Sequence, residues 1–264
     1  VIAAMLTALM AVTFTANTAV SVYATGVTAT ENAQTIDAQS TDAQALTPEE
    51  QKAQELQQVY DMPVESNGYK DWPQGPGTYG EAGIVMEVGT GAILYAKNID
   101  AHEYPASITK VLTALVALEN GQLTDNVTFS HDSVAFLQRG DSSVGLKEGN
   151  VITLDQAMHA MLLASANEAA YAIGESVGVN AGHDYNWFIE QMNSRCKELG
   201  GENSNFANTN GLHDPNHYTC ARDMALIGRE LFKHPEFFQI VQTLNYTIPA
   251  SETTEEHEIG RAHV

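Results

Sequence analysis

Tyr104-Pro105-Ala106-Ser107-Ile108-Thr109-Lys110 runs straight into Val111, Leu112, Leu115, Val116 and Leu118, and the stretch closes at Asn120-Gly121. Those apolar residues recur at helical spacing in a broad stripe, so a buried helix is expected from Ser107, with Asn-Gly suited to its end. Positions three apart share a helix face, which brings the Ser107 hydroxyl within reach of the Lys110 ammonium. A helix N-terminus adds free backbone N–H groups and the positive end of the dipole, both favourable to a developing oxyanion. A lysine desolvated there can be neutral enough to accept the serine proton. Ser-x-x-Lys alone occurs by chance in many helices, so its meaning depends on what surrounds it.

Upstream, residues 83–88 and 92–96 are strand-like apolar runs flanking Gly89-Thr90-Gly91, a pattern that predicts a β-hairpin. Downstream, helices are expected over 154–163 with Thr153 as a cap, then over 168–177, 184–199 and 222–232. Residues 244–248 read as a strand again, and 48–60, after Thr47 and opening on Pro48, as a short helix. Strands, a helical block, then strand predict an α/β (α+β) fold whose helical subdomain is inserted between the elements of an antiparallel sheet. Ser165-Ala166-Asn167 falls between two of the helices. On an extended loop its hydroxyl and amide would lie on one side, the first to relay a proton toward a leaving amine, the second to hold Lys110 and substrate backbone.

These blocks, in this order, resemble the D-alanyl-D-alanine carboxypeptidases, the low-molecular-mass penicillin-binding proteins. The resemblance runs from about Ala82 to Pro249. It rests on Pro105–Lys110, Leu115-Val116-Ala117-Leu118-Glu119, residues 154–170, Asn208-Thr209-Asn210-Gly211-Leu212, Asn216-His217-Tyr218-Thr219 and Asp223-Met224-Ala225-Leu226-Ile227. It implies the fold shared by penicillin-binding proteins and serine β-lactamases. It implies Ser107 as acylated nucleophile, Lys110 as general base, and Ser165 with Asn167 on the proton-transfer side. It also implies peptidoglycan stem peptides ending in D-Ala-D-Ala as substrate, β-lactams as inhibitors, and no cofactor or metal.

The family's third motif, Lys-Thr-Gly or Lys-Ser-Gly on a strand facing the serine, has no counterpart here. Lys197 and Lys233 are followed by Glu198 and His234, and family order places the motif at or past the end of this chain. Residues 258–264 depart from the family pattern and can be spelled by codons that open a common sequencing adapter, so they are expected to be foreign to the natural product. The peptidase domain is accordingly placed at 79–257, incomplete at its C-terminus, with a further domain and a membrane anchor expected beyond it. A serine β-lactamase shares the acylating parts, but no Glu-x-x-Leu-Asn element follows Asn167 to activate a deacylating water. A wall-binding homologue without catalysis would have no need of Ser107, Lys110, Ser165 and Asn167 together.

Other chemistries fare worse. The formal net charge of −21, from 12 basic against 33 acidic residues, excludes the clustered cations that nucleic acid or anionic lipid requires. His213-Asp214-Pro215-Asn216-His217 lacks the helical His spacing of a zinc site, because Pro215 interrupts it. Cys196 and Cys220 read as small buried hydrophobes or as one disulfide, and no exposure argument backs Cys220, near His217, as a thiol nucleophile. Residues 1–24 combine an uncharged apolar run with a small-x-Ala site at Val22-Tyr23-Ala24, the pattern of an export signal whose basic n-region is missing. Residues 25–78, rich in Thr, Ala, Gln, Asp and Glu, are expected to be an acidic disordered linker.

Overall fold

Val12, Thr13 and residues 46–260 are described by a computed structural model of the chain. Val12–Thr13 (β1) pairs antiparallel with Gly83–Met86 (β2), which pairs in turn with Ile93–Lys97 (β3). The β2–β3 turn is the expected one, with Gly91 at φ +77°, a conformation other residues adopt at a cost. Beyond β1, the expected export signal lies outside the described residues.

The central helix, α2 (Thr109–Asn120), buries Leu112, Ala114, Leu115 and Ala117 completely. Its stripe is broad because it packs on several partners: α4 (Leu154–Leu163), α5 (Asn167–Asn180), α6 (Tyr185–Glu198) and α7 (Ala221–Leu231). Burying one Leu side chain of this kind stabilises the fold by roughly 2 kcal/mol, so α2 serves as the structural axis of the site. Local signals set the helix ends. Thr153 and Gln156 form a reciprocal capping box on α4, and the Asp184 carboxylate accepts from Trp187 N to start α6.

Several short features escaped the sequence reading. A two-stranded hairpin joins β4 (Asn126–Thr128) to β5 (Val151–Thr153), and α3 (His131–Ala135) and α8 (Pro235–Val241) are brief helices. None is long enough to display a period. At the end of the described chain β6 (Asn245–Ile248) pairs antiparallel with β7 (His257–Gly260). Of the tail expected to be foreign, residues 258–260 therefore complete a hairpin, and Ile259 is buried in it.

Part of the linker expectation needs correcting. Residues 25–45 lie outside the described residues, but 46–78 are built onto β3. Thr47 and Glu50 cap α1 (Pro48–Tyr60), which buries no residue of its own. Its anchor is Lys97, fully buried, whose Nζ donates to the carbonyls of Val59 and Thr78 at 2.6 Å each. Ser66 Oγ accepts from Ala96 N, Glu65 from Asn98 N, and Trp72 Nε1 donates to the Leu94 carbonyl. These bonds occupy the outer edge of β3. A segment poor in apolar residues is thus ordered by hydrogen bonds to a strand edge, for which composition carries no signal.

Candidate active site

Ser107 does not open α2. It lies on a separate 3₁₀ turn, Ala106–Ile108, and α2 begins at Thr109. The three-residue spacing still brings Lys110 Nζ to 3.1 Å from Ser107 Oγ. Ala106, just before the serine, is held at φ +46°, a left-handed conformation that L-residues avoid. Gly211 explains how it persists: a Cβ there would lie 1.7 Å from the Ala106 carbonyl oxygen, so only glycine lets the two backbones meet.

Ser165 and Asn167 reach the same point from the break between α4 and α5. The tripeptide is not extended. Ser165 sits at φ +57° and turns the chain, while Asn167 is the first residue of α5. That turn aims Ser165 Oγ at Ser107 Oγ, to which it donates at 2.9 Å, and places Asn167 Oδ1 2.8 Å from Lys110 Nζ. All four residues singled out in the sequence converge on one point. A fifth partner was not foreseen: the Asn210 carbonyl accepts from Lys110 Nζ at 2.7 Å. Nothing in Asn208-Thr209-Asn210-Gly211-Leu212 marks this role, because a backbone acceptor leaves no trace in residue type. The loop is stitched to α2 by Thr113 Oγ1, which donates to the Thr209 carbonyl, and to α6 by Tyr185.

Ser107 is exposed, whereas Lys110 is 3% exposed. Burial lowers the Lys110 pKa to about 8, opposed by the negative charge of Glu168. A neutral amine has two N–H groups and one lone pair. With Asn167 Oδ1 and the Asn210 carbonyl taking the two donors, the lone pair is left facing the Ser107 hydroxyl. The arrangement can therefore draw the serine proton. Beside Asn210 a cavity of about 580 Å³ opens, walled by Phe136, Tyr171, Tyr185 and Leu212, with Asp132 at its lining.

The rival residues have other employment. Ala207 N–H donates to His217 Nδ1 at 3.0 Å, which leaves Nε2 to donate to Thr109 Oγ1 at 2.7 Å. Burial pushes the His217 pKa down to about 4. Cys196 and Cys220 are free and buried, and burial raises their thiols to about 11 and about 12. Cys220 caps α7 through Asp223 N.

A family model described as D-alanyl-D-alanine carboxypeptidase, of peptidase family S11, matches residues 73–258. D-alanyl-D-alanine carboxypeptidase DacA of Haemophilus influenzae is 34% identical over 170 residues, which cover 62% of this chain and 42% of that protein. DacF of Bacillus subtilis is 32% identical over 168 residues, covering 62% and 41%. The chain thus spans about two fifths of the length of the curated relatives it matches. Among solved structures, the Streptomyces K15 DD-transpeptidase superposes with a TM-score of 0.61 at 27% identity, covering 67% of this chain and 71% of that one. A D-alanyl-D-alanine carboxypeptidase from Mycobacterium tuberculosis gives 0.61 at 27% identity, covering 74% and 70%. With the serine, lysine and Ser-x-Asn groups converging inside the matched span, the chain belongs to the D-alanyl-D-alanine carboxypeptidases of peptidase family S11.

Proposed function

We propose that the protein is a serine-type D-Ala-D-Ala carboxypeptidase that removes the terminal D-Ala from peptidoglycan stem peptides through an acyl-enzyme on Ser107. The observation that carries this reading is the contact chain Ser165 Oγ–Ser107 Oγ–Lys110 Nζ, at 2.9 and 3.1 Å. Ser107 Oγ attacks the carbonyl carbon of the penultimate D-Ala as its proton passes to the Lys110 amine. Collapse of the adduct breaks the C–N bond, and Ser165 relays a proton to the departing amino group. Asn167 holds Lys110 and the substrate backbone, and water then hydrolyses the ester. A β-lactam enters the same route, its ring amide taking the place of the peptide bond. The apolar run and small-x-Ala site of residues 1–24 favour export, so the site works outside the cytoplasmic membrane.

The test is release of D-Ala from a diacetylated Lys-D-Ala-D-Ala tripeptide together with covalent labelling by a fluorescent penicillin. Both are expected from the full-length protein, and both should vanish in Ser107→Ala. Rapid penicillin turnover without D-Ala release would make it a β-lactamase, and label retained in Ser107→Ala would sink the reading outright.

A further inference from the structure

Glu168 follows Asn167 directly, yet the chemistry above gives it no task. It is fully buried in the first turn of α5. Its Oε1 accepts from Ser143 Oγ at 2.7 Å, Val144 N at 2.8 Å and Gly145 N at 3.2 Å. Its Oε2 is buried with no hydrogen-bond partner. A carboxylate taken out of water and half unpaired is costly, so its retention needs a compensating role. One part of the compensation is local: the N-terminus of a helix favours negative charge. The other parts lie in what the carboxylate touches. The loop it clasps is also held by Asn167 N, which donates to the Ser142 carbonyl at 2.9 Å. Asn167 is in turn the residue whose side chain grips Lys110.

We propose that Glu168 is a positioning residue for the reaction: it clasps residues 143–145 against the start of α5, so fixing Asn167 and Ser165, and its charge holds the Lys110 amine electrostatically. This deepens the reading of Lys110 as the base, and only its kinetic consequence rests on that reading. The groups facing the amine are few. The 3₁₀ turn offers Ser107, α5 offers Asn167 and, through its charge alone, Glu168, and the loop after α6 offers the Asn210 carbonyl. His217 stands one residue away behind Thr109 and is neutral above pH about 4. Among the charged groups of the described residues, Glu168 is the one that acts on Lys110, opposing the effect of burial. Burial disfavours the protonated amine, and the negative charge of Glu168 opposes that effect. The buried carboxylate does so without a hydrogen bond to the amine, so the three partners of Lys110 remain in place.

The experiment follows the lysine directly. In protein carrying ¹³Cε-lysine, with Lys110 assigned through Lys110→Arg, the Lys110 resonance is titrated by NMR in wild type, Glu168→Gln and Glu168→Asp. Glu168→Gln keeps the shape and an acceptor oxygen but loses the charge. Its Lys110 midpoint should fall by about one pH unit, and the rising limb of penicillin acylation should move with it. A merely structural role would lower the rate without moving either; an unmoved midpoint overturns the proposal. Glu168→Asp keeps the charge but is one methylene too short for the clasp. It should leave the midpoint near its wild-type value while amide exchange at Val144 and Gly145 quickens by about tenfold. Unchanged exchange there overturns the clasp, even if Glu168→Gln does not fold. A midpoint that shifts in a protein that takes up no penicillin supports the role of Glu168 while refuting the proposed function.

Discussion

A lysine that gives up its proton near pH 8 titrates in the range where an enzyme assay is run, and Lys110 is brought there mainly by burial. Acylation of Ser107 should therefore rise with pH and level off above about 8, since the amine must be neutral to accept the serine proton. The sign is the informative part, because a lysine serving only as a fixed positive charge would give a falling profile over the same range. Lys110→Arg sharpens the distinction. Arginine keeps the charge and the donors but stays protonated throughout, so labelling by a fluorescent penicillin should drop by about 10²–10⁴-fold. Near-normal labelling of that variant would mean that another group takes the proton. The strain at Ala106 and Ser165 belongs to the same picture. Two non-glycine residues in left-handed conformations flank the Ser107 hydroxyl, and each is tolerated because its neighbours determine its place.

Among the elements, the edge of β3 governs the N-terminal segment. Helix α1 buries nothing of its own, so it depends on Lys97 and on the side chains that bond to β3. Lys97→Met fills much of the same volume but leaves the carbonyls of Val59 and Thr78 without a donor. The expected cost is about 1–3 kcal/mol in urea unfolding, since these half-buried carbonyls would lose their donor but keep part of their access to water. Limited proteolysis should at the same time cut within 46–78 well before it reaches the helical core. Equal stability and an unchanged cleavage pattern would show that the segment is held by something other than this lysine.

Across the whole molecule, the Thr109–His217 bond joins positions 108 residues apart and ties the loop before α7 to the start of α2. His217 is 2% exposed, and its pKa falls from 6.5 to about 4 on folding. The unfolded chain therefore binds a proton between those values while the folded chain does not. Folding stability should fall as pH drops from about 6.5 toward 4, by an amount on the order of 3 kcal/mol from this group. Carboxylates titrate in part of the same window, so the contribution of His217 is isolated by comparison with His217→Gln. That variant should be less stable at pH 7 and show a flatter loss between pH 6.5 and 4. Parallel curves for the two proteins would refute the assignment.

Regular elements were legible in the sequence wherever a period could repeat. The stripe of α2, the capping pair Thr153 and Gln156, and the Gly89-Thr90-Gly91 turn are local physics, and the structure places them where the chain predicts. So too were Ser107, Lys110, Ser165 and Asn167, because side-chain chemistry leaves its mark in residue type. What the tertiary structure decided is everything that depends on backbone atoms or on neighbours distant in sequence. The Asn210 carbonyl is invisible as a residue. Glu168 looks like any acid at a helix start until burial removes its solvent, and residues 46–78 read as linker until the edge of β3 supplies their hydrogen bonds. Sequence specifies which groups are present and how nearby ones repeat. Only the packed chain determines which of them lose water, and it is the loss of water that lowers the Lys110 pKa.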